Sequence, residues 1–443
     1  MVLIASSLMN YVWGALLRRR MSAGRLWTGI ALNLLLLIFF KYLPPLAETG
    51  AAAASQFDLF RHIVMPIGIS FWTFQALSYL FDIYHEEELD PSLLEFCLYM
   101  AFWPTVLSGP ICRLSEMLPQ LRRASGFNQD DISVGAQRLL QGLIMKFVLA
   151  QVIASGLAPG EGIDTGFDVL NDSLGGVDVW VLAIGFGFQL FFDFAGYSHM
   201  VIGAARLFGI RLQENFNRPY LSVTPSIFWT RWHMSLSFWI RDYVFLPLAA
   251  MRRGRWWLHL MLISSMALFG LWHGAKATFI LWGIYHGLLL VIHRIVQQIK
   301  RPIRLTSSPV LSGGATFCLV SLGWIFFRAN DLDEALAMFG SVLSPDQYGH
   351  LSLPPSLYML IAAVIGGYFA YELIGSLLAD WRTDYRDELK VPSGGVVAVE
   401  FLQLLRDRVW WWLAPMSLTA VVVAGLAIFE KAAVVTPFMY TLF

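Results

Sequence analysis

Three histidines near the middle of the chain are the residues of this sequence best suited to proton transfer. His233, His273 and His286 stand among tryptophans, phenylalanines and leucines, and His233 and His273 each directly follow a tryptophan. An ionisable side chain at membrane depth is costly and is by default a candidate for function. A neutral imidazole within hydrogen-bond reach of a hydroxyl group can accept its proton as a general base. The sequence therefore predicts acid–base chemistry in this stretch.

A single buried histidine is more often a satisfied core residue than a catalytic one, but the repeated Trp-His dipeptide favours a site. Gly274, directly after His273, would let backbone or substrate approach closely. Trp229, His233 and Ile240 are predicted to share one face of a helix. Apolar walls with a few inward polar groups are typical of small-ligand sites. The predicted lining residues are Trp229, Arg231, Trp232, Arg241, Asp242 and Trp272.

Other catalytic chemistries have no support in the sequence. There is no glycine-rich nucleotide loop, no Gly-x-Ser-x-Gly turn and no His-Glu-x-x-His pair. Cys97, Cys112 and Cys318 are widely spaced and are predicted to be small packing residues rather than metal ligands or disulfide partners. We therefore predict neither covalent serine catalysis nor a metal site.

The elements that must position these histidines are membrane helices. Apolar residues make up 57% of the 443 residues and charged residues only 14%, with a mean hydropathy of +0.60. Soluble domains contain about 25% charged residues. The 17 tryptophans and 33 phenylalanines suit a protein with many membrane-interface aromatics. The formal net charge is zero, which argues against a nucleic-acid partner. The composition predicts an all-α polytopic membrane protein.

Twelve apolar segments are candidates for helices at membrane depth, because a span needs about 20 mostly apolar residues. They are residues 1–17, 26–43, 63–81, 92–108, 134–157, 177–208, 233–250, 257–272, 277–293, 310–328, 355–378 and 410–430. Segment 92–108 ends at a Ser-Gly-Pro breaker, and segment 233–250 contains an Arg-Asp pair. Irregular or charged backbone at depth needs surrounding protein or a cavity. These two segments are predicted to be re-entrant or interfacial.

The charges of the connecting loops predict the orientation of the chain. Arginine-rich connectors such as 111–138 and 206–231 are placed in the cytoplasm, and the acidic loops 158–178 and 330–346 outside. This path places the N-terminus outside. The charged stretch 379–409 is predicted to be a cytoplasmic loop of surface helices.

Two further polar groups interrupt apolar segments. Gln75, Ser78 and Asp82 are spaced to share one helical face, which is more often explained by packing between helices than by catalysis. Asp193 and Tyr197 lie one turn apart in another segment. Two interpretations of this pair are equally supported. Either Asp193 forms a structural latch with an arginine or tyrosine, or the pair lines the substrate site.

Six stretches of the sequence resemble the membrane-bound O-acyltransferase family, in particular its bacterial members that acetylate alginate or transfer D-alanine to teichoic acids. They cover most of residues 65–340 in order and spacing. The stretches are GISFWTFQALSYLFDIY (68–84), SGPICRLSEMLPQL (108–121), DFAGYSHMVIGAARLFGIRLQENFNRPYLS (193–222), FWTRWHMSLSFWIRDYVFLPL (228–248), GLWHGAKATFILWGIYHGL (270–288) and WIFFRANDLDEAL (324–336).

The resemblance implies a fold and a role for two residues. It implies one integral-membrane domain over residues 1–443, a ring of about 10 to 12 tilted and re-entrant helices around a central tunnel. The family has one position with His or Asn, which falls on His233, and a downstream catalytic histidine, which falls on His273. His286 lies in the following helix and is expected to line the site.

The resemblance also implies an activity in the bacterial cytoplasmic membrane. An acyl group, expected to be acetyl from acetyl-CoA or another acyl thioester, moves to a hydroxyl group on or destined for a cell-surface polysaccharide. An acyl-accepting periplasmic or extracellular protein is an expected partner, membrane lipid surrounds the chain, and no cofactor is permanently bound. The alternative is a transporter or channel with a proton relay of histidines and Asp193. Transporters often show internal repeats, and none is evident here.

Overall fold

The regular structure of this chain is helical throughout the part that can be described. The computed structural model describes residues 1–48, 64–85, 89–123, 129–169, 174–299 and 308–388, and no strand occurs within these ranges. Six of the described helices are long and apolar enough to cross a membrane. The prediction of an all-α polytopic membrane protein is confirmed.

The helices are numbered here in chain order. The first nine are α1 (Val2–Arg19), α2 (Ala23–Lys41), α3 (Leu43–Glu48), α4 (Ile69–Tyr84), α5 (Leu93–Met100), α6 (Trp103–Val106), α7 (Leu114–Arg122), α8 (Gln129–Ser155) and α9 (Ile163–Val169). The others are α10 (Gly176–Leu207), α11 (Pro225–Trp229), α12 (Met234–Ile240), α13 (Leu246–Ala250), α14 (Arg255–His273), α15 (Ala277–Gln298), α16 (Pro309–Arg328), α17 (Leu332–Leu343) and α18 (Pro355–Glu388). Two π-helical turns, Met145–Ala150 within α8 and Arg241–Phe245 between α12 and α13, interrupt the regular pattern.

The chain divides into two compact units. The first comprises residues 1–142 and 197–339, and the second comprises residues 143–196 and 340–443. The prediction of one domain over residues 1–443 stays a prediction. The predicted segment 410–430 and most of the predicted loop 379–409 lie outside the described residues.

Both segments predicted to be re-entrant are irregular. Segment 92–108 forms the two short helices α5 and α6, and segment 233–250 forms α12, a π turn and α13. A capping box starts α5, because the Ser92 side chain accepts from the Glu95 N–H while the Glu95 carboxylate accepts from the Ser92 N–H. Neither segment contains one of the six helices long enough to span a membrane.

Helix α4 is a central packing element of the first unit. Helices α1 and α2 both pack against it, and they are joined to each other by reciprocal hydrogen bonds between the buried Asn10 and Asn33 amides, at 3.0 and 2.8 Å. The predicted polar face of α4 also packs against a neighbouring element: Trp239 Nε1 donates to Ser78 Oγ at 3.3 Å, and the Tyr243 hydroxyl donates to Asp82 at 2.6 Å. These contacts agree with the packing interpretation of that face.

Glycines set the distance between α14 and α15, the two helices that carry His273 and His286. A Cβ atom at Gly270 would lie 2.0 Å from the Phe279 carbonyl oxygen, and one at Gly283 would lie 2.1 Å from the Met266 carbonyl oxygen. Small residues allow helix backbones to approach closely in membrane proteins. Only glycine at these positions permits the observed contact.

Candidate functional site

His273 is the last residue of α14 and is surrounded by aromatic rings. Its ring centroid lies 4.8 Å from that of Trp272, 4.9 Å from Phe327 and 5.4 Å from Trp282. Phe269 stacks on it at 5.5 Å, and the ring of Phe279 lies at 6.1 Å. The side chain is only partly buried, in contrast to the fully enclosed His233 and His286.

His233 belongs to the same cluster. Its ring lies 6.4 Å from Phe269 and 6.3 Å from Trp272, and both of these rings also contact His273. The two histidines that follow a tryptophan in the sequence therefore share two aromatic neighbours. The structure brings together the two residues that the family resemblance assigned to catalysis.

The backbone of His233 is left-handed, with φ 41° and ψ 54°, which is uncommon for a residue other than glycine. Asn215, fully buried, holds this turn: its carbonyl oxygen accepts from the Met234 N–H at 2.9 Å, and its side-chain oxygen accepts from the Ser235 hydroxyl at 2.6 Å. Its side-chain nitrogen donates to Ser198 at 3.2 Å. Asn215 was not predicted from the sequence, because nothing in its local pattern separates a buried tether from a loop asparagine.

The prediction that Trp229, His233 and Ile240 share one face of a helix is wrong. Helix α11 ends at Trp229 and α12 starts at Met234, with the left-handed His233 as its N-cap. A left-handed residue cannot continue an α-helix, so periodic spacing across it has no meaning. His233 and Trp229 still meet the same ring, Phe269, but from separate elements.

His286 lies on α15 in a second part of the aromatic cluster. Its ring is parallel to that of Phe228 at 6.3 Å and meets Trp229 at 5.1 Å and Trp282 at 5.2 Å edge to face. Trp282 also contacts His273, so it lies between the two histidines of α14 and α15. Trp232 joins the cluster through Trp324, at 4.9 Å. Four of the predicted lining residues, Trp229, Trp232, Trp272 and His286, are therefore found together.

The predicted polar lining residues have other partners. Asp242 pairs with Arg113 and with Arg241, whose Nε lies 2.7 Å away. Burial alone would raise the pKa of the Asp242 carboxyl, but the hydrogen bonds from these two arginines outweigh it and hold that pKa below its usual value. Arg231 is partly buried, and its carbonyl oxygen accepts from the Asn217 N–H at 2.9 Å. Their roles in lining a substrate site stay predictions.

Asp193 forms an ion pair with Lys146 within the second unit. This agrees with the latch interpretation, although the partner is a lysine and not the predicted arginine or tyrosine. Tyr197 is partly buried on the part of α10 that belongs to the first unit. Substrate lining by Asp193 and Tyr197 stays a prediction.

The end of α2 contributes two residues that the sequence did not single out. Lys41 Nζ donates to the carbonyl oxygen of Trp272 and lies 4.9 Å from the centroid of its ring. The Tyr42 hydroxyl donates to the Leu271 carbonyl oxygen at 2.9 Å. Lys41 is the only charged residue of segment 26–43, but a lysine at the end of a span usually indicates an anchor at the membrane interface.

A cavity of about 330 Å³ opens next to the cluster. Trp229 and Phe269, both ring neighbours within the histidine cluster, form part of its apolar wall. Arg241, His293 and Arg294 also line it. The cavity thus combines cationic or ionisable side chains with an apolar wall that adjoins the aromatic cluster. Among the residues with a described position, no group of three or more His, Cys, Asp and Glu could hold a metal ion.

A comparison with known protein families covers the residues of this cluster. The model of the MBOAT, membrane-bound O-acyltransferase family matches residues 59–330, which include all three histidines. A model for a family of unknown function matches residues 396–443, outside the described residues. Both Trp-His dipeptides lie inside the first match.

Three named relatives share 34% of their residues with this chain in the aligned regions. A probable alginate O-acetylase of Pseudomonas putida aligns over 378 residues, 84% of this chain and 74% of the relative. A peptidoglycan O-acetyltransferase of Helicobacter pylori aligns over 342 residues, 70% of this chain and 63% of the relative. A teichoic acid D-alanyltransferase of Streptococcus thermophilus aligns over 251 residues, 54% of this chain and 59% of the relative. The chain thus spans between 59% and 74% of the length of these relatives.

Proposed function

Because the chain belongs to the membrane-bound O-acyltransferase family, we propose that it transfers an acyl group, most simply acetyl from acetyl-CoA, to a hydroxyl group on or destined for a polysaccharide outside the cell. The named relatives act on alginate, peptidoglycan or teichoic acid. These names favour an enzyme over a transporter or channel. The proposed location is the cytoplasmic membrane of a bacterium, with the donor bound from the cytoplasmic side.

His273 is the general base of the proposed reaction. Its imidazole accepts the proton of the acceptor hydroxyl as that oxygen attacks the carbonyl carbon of the acyl thioester. The new C–O bond forms and the C–S bond breaks. The sulfur leaves as a thiolate and takes up the proton from the imidazolium, which restores neutral His273. The products are an oxygen ester and a free thiol, so no group remains on the enzyme.

The observation that carries this proposal is the arrangement of His273 itself. It is the partly accessible histidine of the three, it ends a helix, and five aromatic rings limit the positions of its imidazole. Proton transfer requires a base held within hydrogen-bond distance of the reacting hydroxyl. His233, which shares Phe269 and Trp272 with it, orients or polarises donor or acceptor.

The cavity next to the cluster is the proposed binding site of the donor. Coenzyme A carries several phosphates, and arginine binds phosphate oxygens strongly. Arg241 and Arg294 line the cavity together with Trp229 and Phe269, so one donor molecule would meet cations with its phosphates and apolar rings with its thioester arm. The direct acceptor is a sugar hydroxyl or the hydroxyl of an acyl-carrying partner protein.

The test is acyl transfer from radiolabelled acetyl-CoA by the purified full chain, with and without membrane extract. His273→Ala should lower transfer by a factor of about 10² to 10⁴, the usual contribution of a general base. His85→Ala is the matched control, because His85 is exposed, lies outside the histidine cluster and hydrogen-bonds through Nδ1 to the Phe81 carbonyl of its own helix, at 2.9 Å. Near-normal transfer by His273→Ala would contradict the assignment of the base. A wild-type chain that transfers from neither acetyl-CoA nor an acyl-carrier thioester would contradict the function.

A further inference from the structure

The helix that ends in His273 has an unusual C-terminus. The residue after it, Gly274, has φ 174°, so the left-handed glycine that often closes a helix is absent here. The last carbonyl groups of any α-helix lack partners within the helix and must find them elsewhere. In α14 the Leu271 carbonyl accepts from the Gly274 N–H at 3.1 Å. Two further partners come from another part of the chain.

Those partners are the side chains of Lys41 and Tyr42. Lys41 Nζ donates to the Trp272 carbonyl oxygen and, at 3.3 Å, lies within hydrogen-bond distance of Ser70 Oγ. The Tyr42 hydroxyl donates to the Leu271 carbonyl oxygen at 2.9 Å. Two consecutive residues of the chain therefore hold the two consecutive carbonyl groups that directly precede His273.

The choice of lysine at this position needs an explanation, because burying an ammonium group is costly. Lys41 is only 8% exposed. The C-terminus of a helix carries negative partial charge, and a cation there is favourable. An ammonium group with three donors can bind a carbonyl and a hydroxyl at once. Lys41 also lies over the Trp272 ring, and Phe71 and Phe74 pack on the same ring, at 5.9 and 5.6 Å.

We propose that Lys41 and Tyr42 are positioning residues for His273: they hold the last turn of α14 so that the imidazole stays in place for proton transfer. This inference rests on the proposed acyl transfer. Both residues lie before residue 59, where the match to the family model begins, so the N-terminal helices contribute to the site although the family match does not include them. Neither side chain touches the acyl group in this scheme.

The first experiment measures the last turn of α14 directly and does not depend on activity. Hydrogen–deuterium exchange, followed by mass spectrometry, reports the opening of amides in the peptide that contains residues 268–276. Lys41→Met should accelerate this exchange, because the Trp272 carbonyl loses its donor. Lys41→Arg should keep it near the wild-type rate, since the guanidinium group retains both charge and donors. Tyr42→Phe, which removes one hydroxyl, should show a smaller acceleration.

Arg25→Met is the matched control. Arg25 also donates to carbonyl groups at the end of a helix, Leu16 at 2.7 Å and Arg20 at 3.2 Å, but these close α1. The control removes a cation with the same kind of contact, and exchange in the 268–276 peptide should not change. Equal exchange in wild type, Lys41→Met and Tyr42→Phe would overturn the inference.

The second experiment measures turnover. Lys41→Met should lower kcat about tenfold to a hundredfold, the range expected when a reacting group is misplaced by up to 1 Å, with KM for the donor changed far less. Lys41→Arg should recover most of kcat, and Arg25→Met should be normal. If Lys41→Met does not fold, Tyr42→Phe tests the neighbouring contact, to the Leu271 carbonyl, with a smaller expected effect. Unchanged kcat in both variants would overturn the inference. A wild-type chain without transferase activity would contradict the proposed function, and the exchange data would still decide the positioning.

Discussion

Asp178 and His286 are both buried without any exposed surface, but the fold treats them in opposite ways. In the second unit, Asp178 accepts from the N–H groups of Gly175 and Ser352, at 2.9 and 3.0 Å, and from the Tyr358 hydroxyl. In the first unit, both ring nitrogens of His286 lack a hydrogen-bond partner among the residues that the structure describes. Buried polar groups in native proteins are paired in the large majority of cases.

The same contrast extends to the residues around His286. The indole nitrogens of Trp229, Trp272, Trp282 and Trp324 are likewise buried without a described acceptor. Fold stability alone explains why Asp178 is buried, because its hydrogen bonds join the start of α10 to the segment before α18. Fold stability does not explain why the ring nitrogens of His286 and of these tryptophans are buried without described partners. Asp178, with its complete hydrogen bonds, is structural, whereas the open polar atoms around His286 lie in the region proposed for chemistry.

The largest effect on stability is expected for Asp178→Ala. The substitution removes the acceptor of three donors, the buried Gly175 N–H and the partly buried Ser352 N–H and Tyr358 hydroxyl. A buried donor left without an acceptor costs about 1–3 kcal/mol. We expect a loss on the order of 3 kcal/mol or more in the free energy of unfolding, measured by thermal or denaturant unfolding in detergent. Transfer per folded molecule should be unchanged. A loss of transfer with an unchanged unfolding temperature would contradict the structural role of Asp178.

His286→Phe is the counterpart in the first unit. It replaces the imidazole by a larger apolar ring and removes two nitrogens that satisfy no described hydrogen bond. The loss of stability should therefore stay within the cost of fitting the larger ring, about 1–3 kcal/mol. Transfer should fall. A large loss of stability would show that the nitrogens of His286 have a structural role after all.

The loss of stability expected for Gly283→Ala is smaller than that for Asp178→Ala. This substitution tests how the α14–α15 contact supports the histidine cluster. The added methyl would lie 2.1 Å from the Met266 carbonyl oxygen, so the helices must separate. Inserting a methyl group into a packed interface costs about 1–3 kcal/mol, and transfer should fall with it. Gly366→Ala is the matched control in α18: its Cβ would meet nothing within 4 Å, so stability should be unchanged or slightly higher. Equal effects of the two substitutions would contradict the role of the contact.

The next prediction concerns the left-handed turn at His233. Asparagine adopts this conformation more readily than alanine, for which it costs roughly 1–2 kcal/mol. His233→Asn should therefore be milder than His233→Ala in both unfolding temperature and transfer. A tenfold difference in transfer corresponds to about 1.4 kcal/mol. If transfer by the asparagine variant is as low as that by the alanine variant, the left-handed backbone does not limit transfer, and the imidazole itself is needed.

The smallest effect on stability is expected for an ion pair that lies away from both Asp178 and the histidine cluster. The hydrogen bond from Arg122, followed by that from the Ser92 N–H, lowers the pKa of Glu95 to about 2. A lowered carboxyl pKa contributes stability that is fully present above the unfolded-state value of 4.5 and is lost as pH falls toward 2. Glu95→Gln should lower the unfolding temperature slightly at pH 7, and the difference from wild type should shrink as pH falls below 4.5. A difference that is constant with pH would show that the pair contributes nothing, as many exposed pairs do.

Much of the fold was predictable because membrane helices depend on local composition. Segment 177–208 corresponds to α10, 310–328 to α16 and 257–272 to α14, each within a few residues. A continuous run of apolar residues can satisfy its backbone in a membrane only as a helix, so length and hydropathy are sufficient. The irregular segments 92–108 and 233–250 were also predictable, from a Ser-Gly-Pro breaker and from charges at depth.

The site was predictable only in part. His233 and His273 share the Trp-His pattern and the family's motif, so the sequence alone singled them out as candidates. Trp229, Trp232 and Trp272 were predicted as lining residues, whereas Phe269, Trp282 and Phe327 were not. The break at His233 and its tether Asn215 were not predictable, because a single left-handed residue leaves helical periodicity on both sides intact. The partners of Asp193 and Asp242 were not predictable either, because a charge in a sequence does not indicate which distant charge it meets.

The sequence by itself determined that this is a helical membrane protein of the O-acyltransferase family, with His233 and His273 as its most informative residues. Only the tertiary structure decided how His273 is held. Lys41 and Tyr42 are more than two hundred residues away in sequence from the carbonyl groups that they bind, as the separations of 231 and 229 positions show. Apolar length is a local property of the chain, whereas the partner of a helix end is set by packing between distant helices.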